Sequence, residues 1–193
     1  MSDAGRVYEF VYRGILADEA LDKAGRPSRS SVSVTLSDIS DAMSLGSFDP
    51  EYLESAQRMA VVYTAIAAFE NSVRRFISKI LLDSHGDNWW EECVSEKIRK
   101  FAESRRDEEQ KTKWHGVRGD NLLSYTELAQ LSNIVQQSWQ DFEPYIRRLD
   151  WASSIFSGIE RSRNVIMHSG ELEMEDIERV GILIRDWIKQ VGL

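Results

Sequence analysis

A cluster of polar side chains near the C-terminus has the composition of a site that handles phosphate. The stretch I-E-R-S-R-N-V-I-M-H-S-G, residues 159–170, carries Arg161, Arg163, Asn164 and His168. On a helix, at ~100° per residue, Arg161 and Asn164 fall on the same side as His168. Arg163 points to one side of that line, although its long side chain can reach round. Guanidinium groups bind phosphate, an amide can orient an imidazole, and an imidazole transfers protons near neutral pH.

These residue types suit cleavage of an RNA backbone without a metal ion. A base removes the proton of the 2′-hydroxyl, an arginine neutralises charge at the phosphate, and an acid protonates the leaving 5′-oxygen. His168 supplies only one of the two proton-transfer groups, and a two-fold dimer that apposes two such helix ends supplies both. The competing interpretation is a helix end whose histidine and arginines complement the helix dipole. Helix position alone favours that interpretation.

A second polar cluster interrupts the most apolar helical stretch of the chain. Within F-E-N-S-V-R-R-F, residues 69–76, Glu70 and Arg74 are one turn apart and Asn71 lies beside Glu70. A local ion pair at this spacing contributes only about 0.2–0.5 kcal/mol. Such residues form either the hydrated edge of the helix or the lining of a site, and the residues alone leave both possibilities open.

The most polar part of the chain, residues 103–120, is a candidate surface for RNA. Trp114 lies among its cations and offers an aromatic face for base stacking. A solvated connector between helices is the favoured interpretation, since charge runs usually face water. The candidate contact residues are Arg105, Arg106, Lys111, Lys113, Trp114 and Arg118.

The composition excludes several other functions. The 193 residues carry a formal net charge of −8, so nucleic acid would have to bind at a local basic patch. Cys93 is the only cysteine, which excludes an intramolecular disulfide and a cysteine-rich zinc site. Glycine-rich phosphate loops, paired-histidine zinc helices and nucleophile elbows are absent, so we expect neither a metal nor a cofactor. The N-terminus lacks a signal-peptide pattern and no apolar run is long enough to span a bilayer, which predicts a cytoplasmic protein.

The scarcity of turn-forming residues favours a helical fold. With 3 Pro and 11 Gly the chain lacks the many tight turns of a sandwich or barrel. We predict an all-α, antiparallel helical bundle over residues 48–193 and a less regular N-terminal arm over residues 1–47. In the arm, residues 30–36 alternate as a short strand or extended segment, before a helix capped by Ser37 or Asp38. The bundle helices are predicted over residues 50–82, 89–101, 125–139, 149–168 and 173–191, with a kink at F-E-P-Y, residues 142–145.

The predicted helices differ in how their apolar faces must be covered. Residues 59–69 are apolar nearly all round, which predicts a central helix covered on several sides. Ser124 or Thr126 is the expected cap of the third bundle helix, and Gly170 is expected to stop the fourth. The last helix has a clear core stripe. Its predicted inward residues are Ile177, Val180, Ile182, Leu183, Trp187 and Ile188.

The combined pattern resembles the HEPN family of all-α domains. Arg163-Asn164-Val165-Ile166-Met167-His168 matches the family's arginine, polar residue and histidine after four intervening positions. The long helix with A-F-E-N-S-V-R-R-F-I supplies an acid followed one turn later by a base. The order H-G-D-N-W-W, a charged connector, Y-T-E-L-A-Q-L-S-N-I-V and S-W-Q-D-F completes the resemblance, which spans residues ~48–191.

The resemblance implies a dimeric endoribonuclease that needs no metal and leaves 2′,3′-cyclic phosphate and 5′-hydroxyl ends. His168 would transfer protons, Arg163 would hold the phosphate, and Asn164 would orient them. Glu70 and Arg74 match a pair that helps line the site in some members, with Asn71 and Arg161 as supporting residues. The branch that the chain most resembles contains RNA-quality-control endoribonucleases and stand-alone abortive-infection or antiviral proteins, which implies RNA, a second copy and a defence-system or antitoxin protein as partners.

Two departures qualify what the resemblance implies. In members paired with a nucleotidyltransferase antitoxin, a tyrosine follows two positions after the histidine, whereas this chain has Gly170 there. Some members have lost catalysis and act as binding or dimerisation modules. The alternative hypothesis is therefore a non-catalytic module of the same fold that binds a nucleotide or a partner protein.

Overall fold

The computed structural model describes residues 34–192, and all the regular secondary structure in that range is helical. The chain divides into two units at the junction of Asp49 and Pro50. The described part of the first unit contains helix α1, Leu36–Ala42, and a 3-10 turn, Leu45–Ser47. The second unit contains helices α2 to α8. The predicted all-α class is confirmed.

Helix α1 begins at least two residues earlier than the predicted caps allow. Thr35 is the cap: its Oγ1 accepts from the Asp38 backbone N–H at 3.1 Å, and Asp38 Oδ2 accepts from the Thr35 N–H at 2.8 Å. These hydrogen bonds form a capping box and lower the pKa of Asp38. The prediction of Ser37 or Asp38 as the cap is wrong, and Leu36 is helical rather than part of a strand. Val34 and Thr35 have no regular secondary structure, and residues 30–33 of the predicted strand lie outside the described residues.

Helix α2, Pro50–His85, is the longest element and follows its prediction closely. Proline is compatible with the first helical position because it lacks the N–H that would have no partner there. The helix runs without interruption until Gly86 adopts a φ of +71°, which favours glycine, at the start of the 3-10 turn Gly86–Asn88. This helix carries Glu70, Asn71 and Arg74.

The next predicted helix is two helices. Helix α3, Trp89–Cys93, ends where Val94 adopts an extended conformation, and α4, Glu96–Gln110, begins after Ser95. The Ser95 backbone N–H donates to Gln137 Oε1 at 3.2 Å, so the break is tied to a neighbouring helix. Helix α4 also continues nine residues beyond the predicted end at Phe101. The first half of the polar segment is therefore helical rather than a connector.

The third predicted bundle helix is also divided. A 3-10 turn, Leu122–Tyr125, precedes α5, Leu128–Gln137, and α6, Trp139–Ile146, follows with Pro144 inside it. Neither predicted cap is used, because the Thr126 hydroxyl donates back to the Leu123 carbonyl at 2.7 Å and closes the turn. Glu127 is the cap instead, and its N–H donates to Gln130 Oε1 at 2.8 Å.

Helices α7, Leu149–Met167, and α8, Met174–Val191, pack against each other across a short connection. Trp187 of α8 is fully buried and gathers aromatic rings from α2 and α7. Its ring lies 5.9 Å from Phe69 and from Phe76, 5.0 Å from Phe156, and stacks on Trp151 at 6.0 Å. These contacts hold α2 and α7 side by side, which places the two predicted polar clusters on neighbouring helices.

Two predicted faces are not buried as expected. In α8, Val180 and Trp187 are buried, whereas Ile182 and Ile188 are exposed. In α2, the core takes only one stripe, and Val61 is 73% exposed in spite of its place in the apolar stretch. The prediction that α2 is covered on several sides is wrong for a single copy of the chain, in which one side of residues 59–69 faces solvent. The uncovered side of that stretch consists of Ala60, Val61, Tyr63, Thr64, Ala65 and Ala68.

Candidate active site

A three-residue charge network joins the two predicted clusters. Glu70 is the one buried acidic residue in the described part of the chain. Its Oε1 lies 2.9 Å from Arg163 Nε, and its Oε2 lies 3.1 Å from Arg74 Nη2. Because the first contact is an ion pair by distance rather than a well-aligned hydrogen bond, charge is its main contribution. The carboxylate thus pairs with two guanidinium groups from two different helices, which leaves the three residues with a formal net charge of about +1.

Arg74 is the most constrained cation of the network. Its Nη2 also donates to the Thr126 carbonyl at 2.9 Å, and its Nη1 donates to Asn71 Oδ1 at 3.2 Å. The side chains of Glu70 and Arg74 are only 11% and 18% exposed. A buried ion pair is stabilised by further hydrogen bonds to its polar atoms, and Arg74 makes two, although Arg74 Nε and Glu70 Oε1 are buried without a hydrogen-bond partner among the described residues. Arg74 therefore holds Glu70 in place, and Glu70 in turn holds Arg163.

Arg163 presents the rest of its guanidinium away from Glu70. Its side chain is 31% exposed, and only its Nε lies close to the carboxylate. Neither Nη atom has a hydrogen-bond or ion-pair partner within residues 34–192. Two adjacent N–H groups on a fixed plane are the arrangement that binds phosphate oxygens in pairs.

The end of α7 places His168 in solvent. Ser169 takes the left-handed conformation, with φ of +60°, and its N–H donates to the Ile166 carbonyl at 3.0 Å. The Gly170 N–H donates to the Val165 carbonyl at 2.9 Å, which completes a Schellman motif. His168 is the C-cap, its side chain is exposed, and its imidazole has no hydrogen-bond partner in the described part of the chain.

The remaining predicted residues of this helix also face solvent. Arg161 and Asn164 are exposed, and neither makes a side-chain ion pair or hydrogen bond with any described residue. The structure therefore brings Arg163 together with Glu70, and leaves His168 without a polar contact to that network within residues 34–192. Within residues 34–192, a single chain supplies one arginine held by a buried carboxylate and, at the helix end, one imidazole without a hydrogen-bond partner.

A groove of about 840 Å³ lies beside this helix end. The first half of α2 forms one wall, through Tyr52, Met59 and Tyr63, and the α7 end forms the other, through Met167 and Gly170. Arg58 and Glu171 join the walls with an Nη2–Oε2 distance of 3.2 Å. A hydrogen bond from Ser55, together with Arg58, lowers the pKa of Glu171 below its ordinary value.

The cations of the polar segment 103–120 do not gather beside the C-terminal end of α7. Most of its cations are neutralised by carboxylates, whereas Lys113 has no described partner and Trp114 is 86% exposed. Arg118 differs from the others because it lines a small cleft of about 230 Å³ together with Glu70 and Arg74. The four pairs are Arg105–Glu127 at 2.6 Å, Arg106–Asp107 at 3.5 Å, Lys111–Glu108 at 2.6 Å and Arg118–Glu109 at 2.6 Å.

Two cations that the sequence reasoning did not select lie close to the network. Arg75 and Lys79 are exposed on α2, have no carboxylate partner within residues 34–192, and line a groove of about 550 Å³ with Arg74. The available signal was their spacing of four residues, which puts both on one helix face directly after Arg74.

The other polar clusters in the described part of the chain do not form a metal site or a second charge network of this kind. No three His, Cys, Asp or Glu side chains in residues 34–192 are grouped closely enough to hold a metal ion. His85 Nε2 lies 3.0 Å from Asp141 Oδ2, and burial raises the pKa of the nearby Cys93 thiol. Among these residues no helix combines the length and the hydropathy needed to cross a bilayer.

Comparison with known proteins identifies the family. The model of the Swt1-like HEPN family matches residues 64–192, which is well over half of the chain and includes the whole charge network and His168. No curated protein and no solved structure matches the chain. Because the family model covers α2 from Thr64 onward together with all the later helices, the chain belongs to the Swt1-like HEPN family.

Proposed function

We propose that this protein is a metal-independent endoribonuclease that cuts single-stranded regions of RNA and leaves 2′,3′-cyclic phosphate and 5′-hydroxyl ends. The observation that carries the proposal is an Arg163 held by Glu70 at 2.9 Å together with an exposed His168 at the end of the same helix, whose imidazole has no partner among the described residues. One is a phosphate ligand and the other a proton-transfer group. Membership of a HEPN family supports a ribonuclease as the reaction class.

The reaction needs two proton transfers and one charge-stabilising contact. A base removes the proton of the 2′-hydroxyl, whose oxygen attacks phosphorus, and the bond to the 5′-oxygen breaks as an acid supplies its proton. The free Nη groups of Arg163 would stabilise the charge on the non-bridging oxygens in the transition state. Within residues 34–192, His168 is the one histidine at this helix end, so we infer that a second chain supplies the other proton-transfer group.

A homodimer is therefore part of the proposal. The uncovered side of α2 exposes Val61 and Tyr63, and the end of α7 exposes Met167. Tyr63 and Met167 line the groove beside His168, and Val61 lies on the helix that forms one wall of that groove. Contiguous exposed apolar surface marks interaction sites, and a second copy docked here would bring two His168 side chains toward one cleft.

The primary test is cleavage of a defined RNA by the purified full-length chain with EDTA present, followed by mapping of both new ends. We expect cyclic-phosphate and 5′-hydroxyl ends with the wild type. His168→Ala and Arg163→Ala should each lower the cleavage rate by about 10²–10⁴-fold, the usual contribution of a proton-transfer group or a charge-stabilising donor. Circular dichroism and elution volume should stay unchanged.

Matched controls separate the site from general charge effects. His115→Ala removes an exposed loop histidine, and Arg179→Ala removes an exposed arginine that pairs with Asp176 on α8. Both variants should cleave at the wild-type rate. Full activity in His168→Ala would overturn the proposal, and intact RNA with the wild type would favour the non-catalytic binding module.

We also propose that the activity serves defence or growth arrest, as the resemblance to abortive-infection proteins suggests. Induced expression of the wild type should then stop growth of a bacterial host, whereas the His168→Ala variant should not. Equal growth with both forms would count against this role without bearing on the chemistry.

A further inference from the structure

Three cations of α2 line a groove on an otherwise acidic protein, and two of them, Arg75 and Lys79, have no carboxylate partner within residues 34–192. We call this surface the basic groove, and its polar lining residues include Asn71, Arg74, Arg75, Lys79, Asn121 and Ser124. The groove and the small cleft beside it share Asn71, Arg74 and Ser124, so the two are continuous. Together their walls carry four cationic side chains and a single carboxylate, that of Glu70. Two cations of the network already neutralise that carboxylate.

We propose that the basic groove binds the sugar-phosphate backbone of single-stranded RNA on one side of the cleavage site. The proposal rests on the ribonuclease function, because it makes the groove an extension of the site that holds Arg163. Glu70 contacts Arg163 and lines the small cleft, so the groove begins at the site and leads along α2 toward Lys79.

Arg75 and Lys79 are placed for consecutive phosphates. One helical turn separates them by about 6 Å along the axis, which is similar to the spacing of neighbouring phosphates in an extended strand. Neither has a carboxylate partner in the described part of the chain, so binding an anion would not require an existing ion pair to break. Most other cations near the groove are already paired, as Arg118 is with Glu109.

The other wall offers neutral contacts. Asn121 Oδ1 accepts from the Ser124 N–H at 3.1 Å, which leaves the amide of Asn121 as a donor at the rim. Leu82 is exposed and adds apolar surface for a ribose or base. A volume of about 550 Å³ lies within the range of sites that hold one small organic ligand, so it suits a single strand rather than a duplex.

The test measures binding separately from cleavage. The probe is a short single-stranded RNA with 2′-O-methyl groups, which cannot be cleaved because the attacking hydroxyl is blocked. The Arg75→Ala/Lys79→Ala double variant should weaken its binding by at least about tenfold. The slope of log K against log salt should become shallower by about 1.4, the loss of two phosphate contacts on a single strand.

A control double variant, Lys97→Ala/Lys189→Ala, changes the net charge by the same amount at exposed positions outside the groove. It should bind the probe within twofold of the wild type. Equal weakening in both double variants, wild-type binding by the groove variant, or no binding by the wild type would overturn the inference.

Failure of the groove and failure of the ribonuclease proposal give different results. If unmodified RNA is cleaved but the groove variant binds and cleaves as the wild type does, only the groove is wrong. If the groove variant loses binding while the wild type never cleaves RNA, the groove stands and the ribonuclease proposal is wrong.

Discussion

At the scale of single residues, Glu70 decides how Arg163 is presented. A free arginine on a helix surface samples many rotamers, and binding phosphate would cost the entropy of ordering them. Glu70 contacts Nε at 2.9 Å and so orders the side chain in advance while leaving both Nη atoms open. An acid buried beside the proposed phosphate ligand would repel a phosphate if it were unpaired. Arg74 removes that penalty by sharing the same carboxylate.

Replacing Glu70 by glutamine should lower both stability and cleavage. The variant keeps the volume but leaves Arg74, which is 18% exposed, without its carboxylate. We expect the free energy of unfolding to fall by about 2–3 kcal/mol. Cleavage should fall further than stability explains, because Arg163 loses its fixed orientation. Urea unfolding and the cleavage rate well below the unfolding midpoint measure the two effects.

Glu54→Gln is the matched control on the same helix. Glu54 also precedes an arginine by four residues, but the pair with Arg58 is 3.7 Å long and both side chains are mostly exposed. Exposed pairs contribute about 0–1 kcal/mol, so this variant should remain close to the wild type. An equal loss in both variants would mean that the network acts only through surface charge.

At the scale of elements, the end of α7 depends on two small residues. Ser169 occupies the left-handed position that glycine usually takes at a helix end, and Gly170 occupies the next position. A Cβ on Gly170 would lie 2.8 Å from Val165 Cγ1 and 2.9 Å from the Val165 carbonyl oxygen. Glycine is therefore required at position 170 because the backbone there lies too close to Val165 to leave room for a Cβ. It does not end the helix by adopting a positive φ, as a C-terminal glycine usually does.

Gly170→Ala should destabilise the protein, because a backbone oxygen cannot move aside without breaking the helix-end hydrogen bond. We expect a loss of about 1–3 kcal/mol in the free energy of unfolding. Ser169→Gly should instead stabilise it by about 0.5–1 kcal/mol, since glycine adopts the left-handed conformation without strain. Thermal or urea unfolding distinguishes the two signs.

Gly116→Ala is the neutral comparison, because a Cβ there meets no atom within 4 Å. Its stability should stay within about 0.5 kcal/mol of the wild type. A Gly170→Ala variant as stable as Gly116→Ala would show that the helix end is arranged differently.

At the scale of the whole molecule, an uncovered apolar face lies on the same helix as the charge network. Net charge of −8 keeps copies of a chain apart, so self-association needs a local apolar surface to overcome it. Val61 and its neighbours on α2 provide one, and the core does not use them. The same helix thus buries an inward stripe in the bundle and exposes an outward stripe, which is the surface proposed for a second copy.

Val61→Asp should convert the dimer to a monomer and abolish cleavage together. Val61 is 73% exposed in the single chain, so the substitution should leave the fold intact while placing a charge in the proposed interface. Light scattering coupled to gel filtration gives the oligomeric state. Val117→Asp, at an exposed loop valine outside this face, should change neither mass nor activity. A monomeric wild type that cleaves RNA would refute the shared site.

Local sequence signals were sufficient for the helical class, the long α2, and the polar clusters at residues 69–76 and 159–170. Proline, glycine and apolar periodicity act over a few residues, and these features depend on little else. The caps at Thr35 and Glu127 and the breaks at Val94 and Ser138 were missed. Each depends on which of several neighbouring polar groups finds a partner, and that choice is settled by competing hydrogen bonds.

Residue types by themselves showed that residues 159–170 carry groups able to bind phosphate and transfer protons, and helical spacing predicted an ion pair between Glu70 and Arg74. Spacing alone favoured a capped helix end, and only the resemblance to the HEPN family singled out Arg163 with His168. Only the tertiary structure joined the two pairs, because packing around Trp187 sets α2 beside α7 and brings Glu70 to Arg163. It also decided that most cations of segment 103–120 are neutralised while Arg75 and Lys79 stay free of carboxylates within residues 34–192. The physical reason is that charge pairing between distant residues depends on distances of a few ångströms, which only the packed fold sets.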